Sequence, residues 1–370
     1  MKLYLIAGEA SGDLQGSLLL KALLAEDPSL ALRFWGGDMM QAAAGGIEPV
    51  RHYREGAVMG FGDVLSKGGK LLSRLGFCKR DLLSFAPDAV VLIDYPGFNM
   101  SIARFAHTHG IKVVWYIAPK TWASRPGRNR LLRRYVDELI VLFPFEKEYF
   151  ESVGVPCRYF GNPLVEYIDS YHFTRIVEGP CVAVLPGSRE AEVRRTLPVV
   201  LDVARLNPSL HFVVAAAPGR DLAEYEKYIG GSSNVSLVAG RTYDVLKFAS
   251  AAIINSGTAS LEAALIGTPQ VVVWSTSPIT AFIARKVLKV LEHIKYISLG
   301  NLIDRSLVFK ELIQEDFNPS LLSAELSRLL GDPSCRAAML AGYSRIRSAL
   351  SPTGRNCPGS ILNIIAAPKD

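Results

Sequence analysis

Two successive series of short apolar runs, each run followed by a helical stretch, constrain this chain more than any single motif. In the first series residues 3–7, 32–35, 89–93, 112–117, 138–142 and 157–160 read as strands, and stretches such as 14–25, 70–85 and 102–109 read as helices between them. Strands that alternate with helices are joined by crossovers, so the strands run parallel and the helices cover the sheet. A second series opens at 181–185 and continues through 211–215, 235–238, 252–255 and 270–274. The expected fold class is α/β, with two Rossmann-like doubly wound domains in tandem. The connection falls in 161–180, a polar stretch carrying Pro163 and Pro180. The expected divisions are 1–165, 166–350 and a tail or helix over 351–370 whose docking the pattern leaves open. Residues 321–330 and 336–350 read as closing helices.

The chain's 370 residues suit two such domains. Its apolar runs, for example 89–93 and 271–274, fall far short of the roughly 20 residues of a membrane span. The opening MKLYLIAGEASGD reaches Gly8, Glu9 and Asp13 without a cleavable apolar segment, which predicts a cytoplasmic protein without a secretory signal. Five scattered cysteines, none in a C-x-x-C pair, predict reduced packing residues rather than disulfides or a zinc site. The net charge of +6 is spread evenly: residues 1–176 hold 21 basic and 18 acidic side chains, the remainder 20 and 17. Nucleic acid is therefore not expected as a partner.

Chemistry is expected at the strand ends. After the first strand, Gly8-Glu9-Ala10-Ser11-Gly12-Asp13 forms a small-residue turn into a helix starting near Gly12; it leaves backbone N–H groups toward a ligand, or is an ordinary turn capped by Ser11 or Asp13. It is not G-x-G-x-x-G, and no acidic residue ends the second strand, which disfavours a dinucleotide. The strand 89–93 runs into Asp94-Tyr95-Pro96-Gly97. A carboxylate at that edge of a parallel sheet faces the ligand crevice and suits a general base; its other use is to cap the helix after Pro96.

In the second series, Pro186-Gly187-Ser188-Arg189 opens a helix with a glycine for close approach, a hydroxyl and a guanidinium fork, the means of holding a diphosphate. The strand 252–255 leads into Ser256-Gly257-Thr258, and Glu262 follows one turn along the helix, placed to accept ribose hydroxyls. Two phosphate-type turns without a Walker lysine point to a nucleotide-diphosphate sugar rather than ATP. D-x-D, H-E-x-x-H and G-x-S-x-G do not occur, so neither a metal nor any other cofactor is expected, and serine-hydrolase chemistry is unsupported.

Residues 58–80 combine Val58, Met59, Phe61, Leu65, Leu71, Leu72, Leu75 and Phe77 with five cations, and residues 120–134 carry six cations and no acid. That pattern fits either an interfacial surface on anionic lipid or a buried helix face with a solvated basic edge.

Taken together, GEASGD at 8–13, AVMGFGDVL at 57–65, IDYPGFN at 93–99, PFEKEYF at 144–150, LPGSREAEV at 185–193, NSGTASLEAAL at 255–265 and YISLGNLI at 296–303 make the chain resemble the lipid-A-disaccharide synthases over nearly its whole length. The resemblance implies a two-domain glycosyltransferase B fold facing a cleft, with no metal requirement. It implies transfer of the sugar of UDP-2,3-diacylglucosamine to 2,3-diacylglucosamine 1-phosphate, giving a β-1′,6-linked disaccharide and UDP with inversion, a step in building the outer-membrane lipid of Gram-negative bacteria. By matched motif, the essential aspartate falls on Asp94 and the acidic residue of GEASGD on Glu9. Gly187, Ser188, Arg189, Ser256, Gly257, Thr258, Glu262 and Asn301 fall on the UDP-sugar, and Ser11, Trp122 and Arg125 on the acceptor side. Many relatives read IDAPDFN, so Gly97 leaves Asp94 as the only carboxylate of this motif; Ser124 replaces the second tryptophan of their WAWR. The implied setting is the cytoplasmic face of the inner membrane, held peripherally by anionic lipid. The rivals are another enzyme of this fold acting on UDP-GlcNAc, either an N-acetylglucosaminyl transferase or a 2-epimerase, and a non-catalytic nucleotide-sugar-binding protein.

Overall fold

The computed structural model describes residues 1–57, 64–123, 125–276, 295–352 and 357–367. The chain divides into two compact units: 1–163 together with 352–370, and 164–351.

In the first unit the strands are β1 (Lys2–Ala7), β2 (Ala31–Gly36), β3 (Arg51–His52), β4 (Ala89–Ile93), β5 (Lys112–Tyr116), β6 (Glu138–Val141) and β7 (Arg158–Tyr159). They pair in parallel in the order β3-β2-β1-β4-β5-β6-β7. The helices are α1 (Ala10–Glu26), α2 (Asp38–Ala43), α3 (Arg54–Ala57), α4 (Val64–Phe85), α5 (Pro96–Thr108), α6 (Asn129–Tyr135) and α7 (Pro144–Ser152). Every residue of β4 and β5 is buried, as a sheet covered on both faces requires. One polar chain crosses this core: Trp35 donates its indole N–H to the Tyr4 hydroxyl at 2.8 Å, and Tyr4 donates to Asp81 at 2.6 Å, whose carboxylate also takes the Arg33 guanidinium.

In the second unit, α8 (Leu164–Asp169) precedes β8 (Cys181–Leu185), α9 (Glu190–Leu206), β9 (His211–Ala216), α10 (Ala223–Ile229), β10 (Val235–Ala239), α11 (Thr242–Phe248), β11 (Ala251–Asn255), α12 (Thr258–Ile266) and β12 (Gln270–Trp274). Then come α13 (Leu299–Asp304), β13 (Glu311–Ile313), α14 (Pro319–Gly331) and α15 (Pro333–Leu350). The sheet is again parallel, in the order β10-β9-β8-β11-β12-β13.

The last helix, α16 (Cys357–Ala366), belongs to the first unit and packs on α1. Its carboxyl end is held by a buried cation: Lys112 Nζ donates to the carbonyls of Ile364, Ile365 (3.1 Å) and Ala367. A lysine there meets both the unpaired carbonyls and the negative end of the helix dipole. The tail whose docking the sequence leaves open is thus a helix clasped to the start of β5. Among the described residues no helix is long and apolar enough to cross a membrane.

Candidate functional site

Strand order reverses between β1 and β4 in the first sheet and between β8 and β11 in the second. At such a reversal the connecting helices diverge to opposite faces, leaving a crevice beyond the carboxyl ends of the two strands. Four of the turns singled out in the sequence, after β1, β4, β8 and β11, stand at these two places. Ala7 of β1 is in register with Ile93 of β4, so Glu9 and Asp94 follow neighbouring strand ends. Gly187–Arg189 and Ser256–Thr258 likewise follow β8 and β11, which pair directly.

The first crevice is built on strained backbone. Asp94 and Tyr95 both lie in the left-handed region, with φ of +45° and +48°. Non-glycine residues rarely hold that conformation, and those that do concentrate at working sites. Asn99, fully buried on α5, braces the turn by donating to the carbonyls of Asp94 at 2.7 Å and Ile93 at 3.3 Å. The Asp94 N–H donates to Tyr116 at 3.2 Å. Gly8 takes part from the neighbouring strand, since a Cβ there would stand 2.4 Å from the Tyr95 ring. The bare backbone of Gly8 therefore lets the GEASGD turn lie directly against the Asp94 turn.

Helix α1 begins at Ala10 rather than near Gly12, with Glu9 exposed at the N-cap and Ser11 exposed in the first turn. Asp13 does not cap α1. Its buried carboxylate accepts the N–H groups of Gly37 (2.7 Å), Met39 (3.1 Å) and Met40 (3.1 Å), and so caps α2 from a neighbouring element. Trp122 and Arg125 lie on the loop after β5, Trp122 half-buried and Arg125 exposed with φ +56°. Ser124 and most of the AVMGFGDVL motif lie outside the described residues.

In the second unit the turn after β8 is a compact anion-binding arrangement already closed by a side chain. Glu192 accepts the N–H of Ser188 (2.9 Å) and of Arg189 (3.1 Å), and its other oxygen takes the Arg189 guanidinium at 3.1 Å. Gly187 has φ +116°, and a Cβ on it would meet Glu192 at 2.5 Å, so both conformation and space require glycine. Next to it, Ser256 donates its N–H to Val273 at 2.9 Å and its hydroxyl to Ile297 at 3.4 Å. Thr258 opens α12, and burial pushes the Glu262 carboxyl up to about 7, opposed by the Tyr243 hydroxyl beside it.

Asn301 lies in α13. Matched motif puts it on the UDP-sugar, yet it is fully buried. Its amide donates to Phe309 (3.0 Å) and Glu311 (2.8 Å), and its oxygen accepts from Val308 (2.9 Å) and Phe309 (3.3 Å). All four of its hydrogen-bonding positions are filled by protein. Glu311 in turn accepts the N–H groups of Ile297 and Ser298. Asn301 therefore supports the Ser256 turn through Glu311 and Ile297, a role no local pattern signals.

Glu146, buried in the first turn of α7, is a second carboxyl pushed up to about 7, again by burial. Sequence reasoning passed over it. For both glutamates the ordinary value is 4.5, so between about pH 5 and 7 the folded chain holds protons that the unfolded chain has released. Stability attributable to these groups therefore falls as pH rises through that window. A Glu146→Gln, Glu262→Gln double variant cannot ionise at either position. Its melting temperature is expected to gain on the parent between pH 5 and 7.5; a constant difference in calorimetric scans would contradict the assignment.

Comparison with known proteins adds identity to this geometry. The family model described as lipid-A-disaccharide synthetase matches residues 3–365. The lipid-A-disaccharide synthase of Geobacter metallireducens is 35% identical over 377 residues, covering 98% of this chain and 96% of the relative. Among solved structures, the UDP-GlcNAc 2-epimerase from Neisseria meningitidis bound to UDP-GlcNAc is similar with a TM-score of 0.64 at 13% identity, covering 98% of this chain and 99% of that one. The S. aureus MnaA-UDP co-structure gives 0.66 at 15% identity, covering 100% and 99%. At such identities the structural likeness speaks for the fold alone, two parallel α/β units of the glycosyltransferase B kind.

Proposed function

Since the chain belongs to the lipid-A-disaccharide synthetase family, matched from residue 3 to residue 365, we propose that it performs that family's transfer by one inverting displacement with Asp94 as base. The sugar of UDP-2,3-diacylglucosamine passes to 2,3-diacylglucosamine 1-phosphate. The acceptor 6-hydroxyl oxygen attacks the anomeric carbon from the face opposite the diphosphate. As that bond forms, the bond from the anomeric carbon to the phosphate oxygen breaks, its electron pair leaves on UDP, and the hydroxyl proton goes to the Asp94 carboxylate. The observation that carries this assignment is the position of Asp94: it directly follows β4, at the strand-order reversal, on a turn held left-handed by Asn99. Glu9 is the reserve base on the neighbouring strand end.

In the second unit, Gly187, Ser188, Arg189 and the turn Ser256–Thr258 receive the diphosphate, and Glu262 takes the ribose. Arg189 and the amino ends of α9 and α12 stabilise the departing charge without a metal. Ser11, Trp122 and Arg125 serve the acceptor. Incubation with the two acylated glucosamine substrates in EDTA, followed by mass analysis, tests the reading: disaccharide and UDP are expected. Recovery of both substrates unchanged would overturn it.

Both substrates carry acyl chains, so docking on anionic lipid belongs to the same reading. Leu71 and Leu72 of α4 are 43% and 69% exposed, whereas Leu75 packs against the core of the first unit. Arg125, Arg130 and Arg133 are exposed along the second basic stretch. Among the described side chains of this stretch the exposed apolar contact is Leu71 and Leu72, since Leu75 serves folding; Val58, Met59 and Phe61 lie outside the described residues. A Leu71→Ser, Leu72→Ser variant is expected to stay folded and to leave phosphatidylglycerol vesicles. Salt should weaken the parent's binding, each cation near the surface contributing ~1 kcal/mol. Undiminished sedimentation of the folded variant with vesicles would remove this surface.

A further inference from the structure

The motif over 144–150 contributes to the family match but to no step of the transfer. Its Glu146 is 2% exposed, where a carboxylate is unfavourable unless it is well partnered. One oxygen accepts the Leu142 N–H at 3.3 Å; the other accepts the indole N–H of Trp122 at 3.2 Å. The same turn of α7 meets that indole a second way. Phe145 stands edge-on to Trp122 with ring centroids 5.1 Å apart, and is itself stacked on Phe143 at 5.6 Å.

Trp122 sits on the loop that leaves β5, and the loop is strained at both ends. Ile117 has φ +68° and Arg125 φ +56°, and a β-branched residue in that region is a genuine outlier. Such backbone persists only where its surroundings over-determine it. The Trp115 indole holds the Ile117 carbonyl at 3.1 Å, and Glu146 holds the loop's middle.

We propose that Glu146 is a positioning residue for the acceptor: by holding the Trp122 indole it fixes residues 117–123 in the orientation that presents Trp122, with Arg125 beyond it, to the acylated glucosamine 1-phosphate. This rests on the assignment of Trp122 and Arg125 to the acceptor. A carboxylate that merely capped α7 would need the Leu142 N–H but not the indole. The titratable groups facing Glu146 are Lys120, from the same loop, and Cys157, from the segment before β7. A protonated carboxyl is a weaker acceptor for the indole than an ionised one, so the contact changes strength around neutral pH.

Two measurements on the full chain test this. The chain has four tryptophans, so the Trp122 emission is the difference between the parent and Trp122→Phe. That emission is expected to titrate with a midpoint near 7 in the parent and to show no step in Glu146→Gln; a step that survives in Glu146→Gln overturns the link. In steady-state kinetics at pH 8, where the carboxyl is ionised, Glu146→Gln is expected to raise the acceptor KM about tenfold, the difference between a charge-assisted and a neutral hydrogen bond, with the UDP-sugar KM unchanged. A variant that melts earlier but keeps the parent's acceptor KM marks a helix cap and overturns the proposal. If Trp122→Phe itself leaves the acceptor KM unchanged, the acceptor assignment falls and the positioning role with it. A raised KM in Trp122→Phe beside a parental KM in Glu146→Gln overturns the positioning role alone. Should Glu146→Gln fail to fold, Glu146→Asp keeps the charge at the helix end while withdrawing from the indole, with the same rise in acceptor KM expected.

Discussion

Asp94→Asn is expected to lose about a hundredfold to ten-thousandfold in turnover, the usual contribution of a positioned general base, while binding UDP as the parent does. Asparagine suits this test for a reason peculiar to the site. Asp94 holds φ +45°, and asparagine, like aspartate, tolerates the left-handed region because its short polar side chain bonds locally. The brace from Asn99 acts on the Asp94 carbonyl rather than on its side chain, so it survives the substitution. A loss in Asp94→Asn therefore reports chemistry rather than a collapsed turn. Asp94→Ala mixes the two, since alanine at positive φ adds strain. The proposed UDP contacts are all in the second unit, so calorimetry with UDP is expected not to register the change. If Asp94→Asn turns over like the parent, the base lies elsewhere, and Glu9 on the neighbouring strand end becomes the residue to replace.

Arg189→Ala and Glu262→Ala are each expected to weaken UDP binding by about 1.5–3 kcal/mol, the worth of a charge-assisted hydrogen bond, or about 10- to 150-fold in Kd. Arg189 presents its guanidinium to Glu192 at 3.1 Å, and the same carboxylate covers the Ser188 and Arg189 N–H groups. In the proposed placement a diphosphate competes for those donors, and removing the guanidinium takes away the most strongly charged of them. Glu262 adds a dependence on pH. Burial pushes its carboxyl up to about 7, while ribose hydroxyls donate best to the ionised form. UDP affinity is therefore expected to fall as pH drops from 8 through 7, beyond what the ligand's own phosphate contributes, and Glu262→Gln should lose that extra slope. Unchanged affinity in both alanine variants would refute the placement of UDP on these turns.

The strands were legible because a parallel strand buried on both faces must be an unbroken apolar run: 89–93, 181–185 and 270–274 read from sequence coincide with β4, β8 and β12. The edge strands β3 and β13, of two and three residues, escaped, while β7, equally short, was read within 157–160. The turns after β1, β4, β8 and β11 were legible as turns, because a strand-to-helix connection favours glycine, hydroxyl and carboxylate at fixed offsets, and strand order brings these four to the two reversals.

What each polar side chain touches was decided by the tertiary structure alone. Asp13 reads as a cap of its own helix and caps α2 instead, 24 to 27 residues away. Asn301 reads as a ligand contact and is filled by Phe309, Val308 and Glu311. Lys112 reads as the start of a strand and clasps the end of α16, more than 250 residues on. Apolar periodicity is a local property, set by which face of an element meets the core. A hydrogen-bonding partner is not, because a buried polar group must take whatever donor or acceptor the packed chain brings within about 3 Å. The sequence by itself therefore determined the two parallel sheets and the family; only the packed chain decided which of its conspicuous polar residues are enclosed by protein partners and hold the turns in place.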